Sequence, residues 1–254
     1  MAHIRQAFTV WPLRDLPLDE LFPKMADIGF EGVAPASPEM VELAPKYGLG
    51  IATMGGHQSL TDGLNKPENH DRIEAELREK IAYAADNGVG TLVCFSGNRC
   101  GMDDLVGMRN TADGLKRVAE LAEDKGVNLA VELLNSKVNH KDYMADHTIW
   151  GVTMCDLVGS PRVGLLYDIY HMQIQEGDVI RNIRDYGARY FLHYHTAGNP
   201  GRNDLDDEQE LNYRPIMRAV AETGFTGYVG HEFSPKGEDK VGALKAAYDI
   251  CNLG

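Results

Sequence analysis

VGLLYDIYH, residues 163–171, is an apolar run that ends in an acid and a histidine. An ionised carboxylate in such a run is costly unless it is paired or bound to metal. Three further runs have the same form. NLAVELLNS (128–136) carries Glu132, YFLHYHTAG (190–198) carries His195, and GYVGHEFSP (227–235) carries Glu232. Glu132, Asp168, His195 and Glu232 are separated by 36, 27 and 37 positions, each about one strand plus one helix. If the strands are parallel neighbours, their equivalent ends lie together and four distant residues form one oxygen-rich site.

The rest of the chain repeats the same unit. Short apolar runs near 4–10, 31–35, 49–54, 90–96, 128–134, 163–169, 190–196 and 227–233 read as strands. Helical patterns fall near 18–28, 38–46, 70–87, 111–126, 142–157, 177–186, 213–223 and 238–250. Several stop at or just before a glycine (Gly29, Gly48, Gly88, Gly126, Gly224), an ordinary helix stop signal. Strand–helix alternation argues for parallel β structure, and eight units close into a (β/α)₈ TIM barrel, an α/β fold. A doubly wound dinucleotide-binding sheet would place a glycine-rich turn after the first strand. The chain has TVWPLRDLP (9–17) there, without GxGxxG. No Pro/Gly/Ser linker divides the sequence, so residues 1–254 are expected to form a single barrel domain. The longest non-periodic segments, 55–69, 97–110 and 197–212, follow strands, where a barrel builds its active-site face.

A formal charge of -13 with no basic stripe disfavours binding to a phosphate backbone, so no nucleic-acid partner is expected. Four cysteines without a CxxC read as reduced thiols. The start, MAHIRQAFTVWPL, lacks a long apolar leader core, and no run approaches membrane-spanning length. We therefore expect a cytoplasmic protein with no membrane association and a small-molecule partner.

Three carboxylates and one imidazole suit one divalent metal ion, Mn²⁺ or Mg²⁺ before Co²⁺ or Zn²⁺. Such an ion stabilises the oxyanion that forms as a proton leaves a carbon next to a carbonyl. Glu132 and Glu232, on the fifth and eighth strands, are the candidate catalytic pair: one removes the proton and the other returns it. His171, three residues past Asp168, and Arg202, in NPGRN, are candidates to hold substrate oxygens. His57, in MGGHQS, and Trp11, at the end of the first strand, are further candidates for the substrate pocket. His193 shares the strand parity of His195 and serves either as a donor at the mouth or as packed barrel filling. Lys137 and His140 are expected in solvent, and Glu210 either orders the long loop after the seventh strand or, the reading preferred, is a charge at a helix N-terminus.

With these residues in view, the chain resembles the sugar isomerase/epimerase superfamily of xylose-isomerase-like barrels, and within it the hydroxypyruvate isomerase family. The resemblance rests on VELLN (131–135), LLYDIYHMQIQEGD (165–178), NPGR (199–202), ELNYRPI (210–216) and GYVGHEFSPKG (227–237). It implies that Glu132 and Glu232 are catalytic metal-binding glutamates, Asp168 an aspartate ligand, and His171 and Arg202 substrate contacts. It also implies a homodimer or homotetramer. His195 falls where ketose epimerases carry a histidine ligand and hydroxypyruvate isomerases can carry glutamine. GVAPAS (32–37) lacks the acid often found on the second strand, and NDLDDEQEL (203–211) replaces a glycine-containing loop. VCFSGN (93–98) lacks the extra histidine that the superfamily's DNA-repair endonucleases need.

The expected activity is metal-dependent isomerisation of a small hydroxycarbonyl or sugar through an enediolate, with hydroxypyruvate to tartronate semialdehyde as its concrete form. Ketose 3-epimerisation is the alternative within the class. A metal-dependent dehydratase of a polyol or keto acid, and a non-catalytic carbohydrate-binding barrel, are the alternatives outside it.

Overall fold

All strand pairings in the computed structural model, which describes residues 3–254, are parallel. The strands are β1 (Arg5–Thr9), β2 (Gly32–Ala34), β3 (Gly50–Ile51), β4 (Met54–Gly55), β5 (Thr91–Cys94), β6 (Asn128–Leu133), β7 (Val163–Asp168), β8 (Phe191–Thr196) and β9 (Tyr228–His231). Their order in the sheet is β3-β2-β1-β9-β8-β7-β6-β5-β4. The two outermost pieces, β3 and β4, are consecutive in the chain and separated only by Ala52 and Thr53. They are halves of the single third strand expected near 49–54, so the sheet returns on itself as a nearly closed barrel. Backbone bonds from Ala52 N to Val33 O (3.0 Å) and from Ala36 N to Thr53 O (2.8 Å) carry the pairing through the break. The fold is thus the expected (β/α)₈ barrel.

The helices are α1 (Leu18–Ile28), α2 (Pro38–Leu43), α3 (His70–Asp86), α4 (Asp104–Lys125), α5 (Thr148–Val158), α6 (Ile169–Gln175), α7 (Val179–Tyr190), α8 (Tyr213–Glu222) and α9 (Lys240–Cys251). Three differ from the sequence expectation. α4 begins well before 111, because Asp103 Oδ1 accepts from Leu105 N (2.9 Å) and Val106 N (3.2 Å) and caps it. Exposed Leu105 and Val106 blur the periodicity of that first turn. α5 starts after 142, because residues 135–147 are held as a loop by side chains. Asn135 Oδ1 accepts from Val138 N (3.0 Å) and Asn139 N (2.9 Å), and the Tyr143 hydroxyl donates to Glu132 O (2.9 Å). The additional short helix α6 is unannounced by periodicity. It is capped by Asp168, whose Oδ1 accepts from His171 N at 3.0 Å.

The main core lies between strands and helices, with Phe8, Leu92, Leu133 and Leu165 facing it. Inside the barrel the residues form two small clusters. Ala7, Ala34, Ala52 and Tyr228 form one inner cluster, and Val93, Ala130 and Leu166 another. His193 and His195 stand perpendicular, with ring centroids 5.0 Å apart. They fit because the neighbouring strand offers Gly230: a Cβ there would come within 3.0 Å of His195 Cδ2 and 3.1 Å of His193 Nε2. Replacing Gly230 with alanine is therefore expected to displace both rings and to cost about 1–3 kcal/mol of stability, read as a lower urea midpoint at unchanged m-value.

Candidate metal centre

β6, β7, β8 and β9 are successive neighbours in the sheet, which brings the four motif residues together. Asp168 and His195 are register partners across β7 and β8, and His195 pairs with Gly230 on β9. Glu232 follows β9 directly, its amide bonded to Thr196 O at 3.0 Å. One ligand atom from each of Glu132, Asp168, His195 and Glu232 lies within 4.8 Å of the others. His195 Nδ1 is 3.0 Å from Glu232 Oε2, 3.3 Å from Glu132 Oε1 and 3.8 Å from Asp168 Oδ2. Yet neither ring nitrogen of His195 has a hydrogen-bond partner. A buried imidazole crowded by three carboxylate oxygens, with none aligned as an acceptor, is the arrangement expected of ligands around a cation. The oxygen-rich donor set with one imidazole fits a divalent ion.

Electrostatics says the same. Burial pushes the Glu132 carboxyl up from its ordinary value, and neighbouring Glu232 and Asp168 add to the rise against the opposing pull of His195. Burial would lower His195, but Glu232 and Glu132 outweigh it and raise the imidazole to about 10. Burial would raise Glu232, but the His195 and Arg202 charges overcome it and hold this carboxyl well below its usual range. A further protein cation stands beside the cluster. Arg202 Nη2 pairs with Glu232 and lies 3.4 Å from Asp168 Oδ2.

His171 is fully buried beside Asp168, its Nε2 3.8 Å from Asp168 Oδ2. Its tautomer follows from the network. Because Asn135 Oδ1 accepts two backbone amides, Asn135 Nδ2 is the atom facing His171 Nδ1, at 2.6 Å. Nδ1 therefore accepts and Nε2 carries the proton, directed at the cluster with no other partner. Burial pushes His171 down to about 4, so it is a neutral donor at pH 7. Asn135 is absent from the sequence reading, although its position three residues past Glu132, in the loop that follows β6, is a usable signal.

Trp11 Nε1 donates to Glu232 Oε1 at 3.2 Å and walls a cavity of about 510 Å³. Glu132, His195 and Glu232 are part of its lining, with apolar Met40, Val93 and Phe95 among the remainder. The other candidates fall elsewhere. His57, expected to touch substrate, spends both ring nitrogens on backbone: Nδ1 donates to Gln58 O (2.9 Å) and Nε2 accepts from Phe95 N (3.0 Å). His193 is inside the barrel but lines a separate cavity of about 560 Å³ at the opposite pole, with Arg5, Thr91 and Asn128. Its position toward the strand starts, two residues before His195, puts it below the cluster. Lys137 is exposed but anchored, its Nζ donating to Gln175 O (2.6 Å), and half-buried His140 packs edge-on against His171. Glu210 caps no helix. It accepts from Asn199 and from Gln173 (3.3 Å), and so orders the loop that carries Arg202.

The chain is similar to known proteins in sequence and in fold. The family model described as "Xylose isomerase-like TIM barrel" matches residues 20–249. A human protein named "Putative hydroxypyruvate isomerase" is 30% identical over 258 aligned positions, covering 91% of this chain and 93% of the relative. A 2-oxo-tetronate isomerase of Pectobacterium atrosepticum is 26% identical, covering 90% of each. Among solved structures, an AP endonuclease, family 2, from Brucella melitensis superposes with a TM-score of 0.86 at 24% identity, covering 99% of this chain and 100% of that one. A D-psicose 3-epimerase from Clostridium cellulolyticum H10 gives 0.78 at 19% identity over 98% of both chains. At these identities the two structures speak for the fold. Among the described residues, no helix is long and apolar enough to cross a membrane.

The His57 bonds clamp the loop after β4 to the end of β5, and burial holds its pKa below the ordinary value. Protonation would turn Nε2 into a donor facing the Phe95 N–H. The clamp's contribution is present above the unfolded value of about 6.5 and is lost as pH falls below it. H57A is expected to cost about 1–3 kcal/mol at pH 7, less at pH 5, with metal affinity unchanged. Denaturant titrations at the two pH values and a metal-binding isotherm check this.

Proposed function

The chain belongs to the xylose isomerase-like TIM-barrel family, and from that premise we propose that it is a metal-dependent isomerase of a small hydroxycarbonyl or sugar substrate. The observation that carries this reading is the buried cluster of Glu132, Asp168, His195 and Glu232, three of which line a ligand-sized cavity. These four residues would hold the metal, Mn²⁺ or Mg²⁺ by donor chemistry. When bound, the ion supplies Lewis-acid stabilisation of negative charge on a substrate oxygen.

The protein groups do the rest. Glu132 and Glu232 come from strands on different sides of the cluster, so one carboxylate removes the proton next to the carbonyl and the other returns it. Proton removal at that carbon leaves an enediolate, and return at the neighbouring carbon completes an aldose–ketose exchange. His171 Nε2–H and the Arg202 guanidinium, both directed at the cluster, donate to substrate oxygens and orient the reacting carbons. The apolar wall of Trp11, Val93 and Phe95 keeps bulk water from the proton in transit. Relatives named for hydroxypyruvate and 2-oxo-tetronate support a short keto acid as substrate, with tartronate semialdehyde the product from hydroxypyruvate. Ketose 3-epimerisation is the second reading. It uses the same proton transfer returned to the opposite face of one carbon, and His195 in the ligand set favours it.

Metal-reconstituted protein in D₂O with hydroxypyruvate, 2-oxo-tetronate and a set of ketoses is expected to incorporate deuterium next to the carbonyl, followed by NMR. E132Q and E232Q should lower that exchange at least a hundredfold, consistent with loss of acid–base catalysis. A chelator should abolish it. Metal-dependent binding without exchange on any substrate would sink the isomerase reading. Return of the label at the same carbon with inverted configuration would select epimerisation.

A further inference from the structure

The third strand changes phase at its break, and this turns one polar side chain into the barrel. Ile51 and Met54 both face the helix-side core, while Ala52 packs inside with Ala7 and Ala34. Strict alternation would place outward residues two apart, yet these are three apart. The extra residue behaves as a bulge, a device that re-aims side chains near functional sites. Thr53 is the residue re-aimed. It lines the cavity that also holds Glu132, His195 and Glu232. It is fully buried, and its Oγ1 has no hydrogen-bond partner. A buried hydroxyl left unpaired costs free energy, and a cavity-lining one is satisfied when a ligand oxygen reaches it.

The topology sets where that oxygen must be. In the sheet order, β8, with His195, lies four strands from β3 in one direction and four from β4 in the other. Thr53 therefore stands across the barrel from the cluster, with apolar Val93 and Phe95 among the lining of the same cavity. This inference rests on the reading of the cluster as the reacting end of the site. We infer that Thr53 is a specificity-determining residue that hydrogen-bonds a substrate hydroxyl remote from the reacting carbons. Among the substrates that reading leaves open, this selects a hydroxylated chain longer than three carbons, 2-oxo-tetronate or a ketose, over three-carbon hydroxypyruvate. A three-carbon ligand held at the cluster leaves Thr53 unpaired.

The test measures binding to the Mn²⁺-loaded full chain by calorimetry, using dihydroxyacetone as the short probe and D-erythrulose and D-fructose as long ones. T53V removes only the hydroxyl and keeps the shape. It is expected to weaken a long probe about tenfold and to leave dihydroxyacetone unchanged. T53S is expected to restore most of the loss, and T53A provides the same comparison should the valine variant not fold. Equal affinities in wild type and T53V, equal losses for short and long probes, or no binding of long probes to wild type each overturn the inference. Deuterium exchange followed in parallel separates the two readings. Thr53-dependent binding without exchange removes the isomerase reading and keeps the subsite. Exchange that is indifferent to Thr53, with unchanged binding, removes the subsite alone.

Discussion

Three carboxylates meet in a buried space, and the charged groups around them answer that fact. Glu132 and Asp168 are 7% and 1% exposed, and each would be costly to ionise alone. The structure compensates with cations from its own chain. His195 is raised toward the charged form by Glu232 and Glu132, and Arg202 reaches from the following loop to Glu232 and Asp168. A divalent ion would satisfy the same oxygens with less dependence on the angle of each contact. The backbone around the cluster is arranged to serve it. Asp168 divides its two oxygens, one capping α6 and one facing the cluster, so the helix start and the site are fixed by a single side chain.

Around that charge the protein builds rigidity with neutral groups. Asn135 sets the His171 tautomer, Glu210 orders the loop of Arg202, and Tyr143 ties the loop after β6 to Glu132 O. Such bonds hold donors in place before a ligand arrives, which is where electrostatic stabilisation in a dry site comes from. The contrast with His57 is instructive. It is also a conspicuous loop histidine near the mouth, but both its nitrogens serve the backbone, and its role is to join two loops.

The division of the barrel interior has the same logic. Three alanines pack with Tyr228 inside it, and Gly230 gives up a side chain so that two histidines can stack edge-on. His193 thereby sits below the cluster with its own cavity at the opposite pole, although it shares the parity of His195. Parity names the face of a strand on which a residue lies; height along the barrel axis decides which cavity it meets.

The repeated strand–helix period made the barrel legible from residues alone, because buried parallel strands must be apolar on both faces and each needs a crossover helix. The four ligand-type residues were legible for the same reason: a charge ending an apolar strand stands out energetically. What the sequence could not carry were relations between segments. The capped helix α6, the Asn135–His171 bond and the bonds by which Glu210 orders its loop each depend on partners brought together only by folding. The phase change at Ala52 and Thr53 is the clearest case. In the sequence, 49–54 reads as one ordinary strand. Only pairing with β2 on one side and β5 on the other, each in its own register, forces the extra residue and turns Thr53 inward.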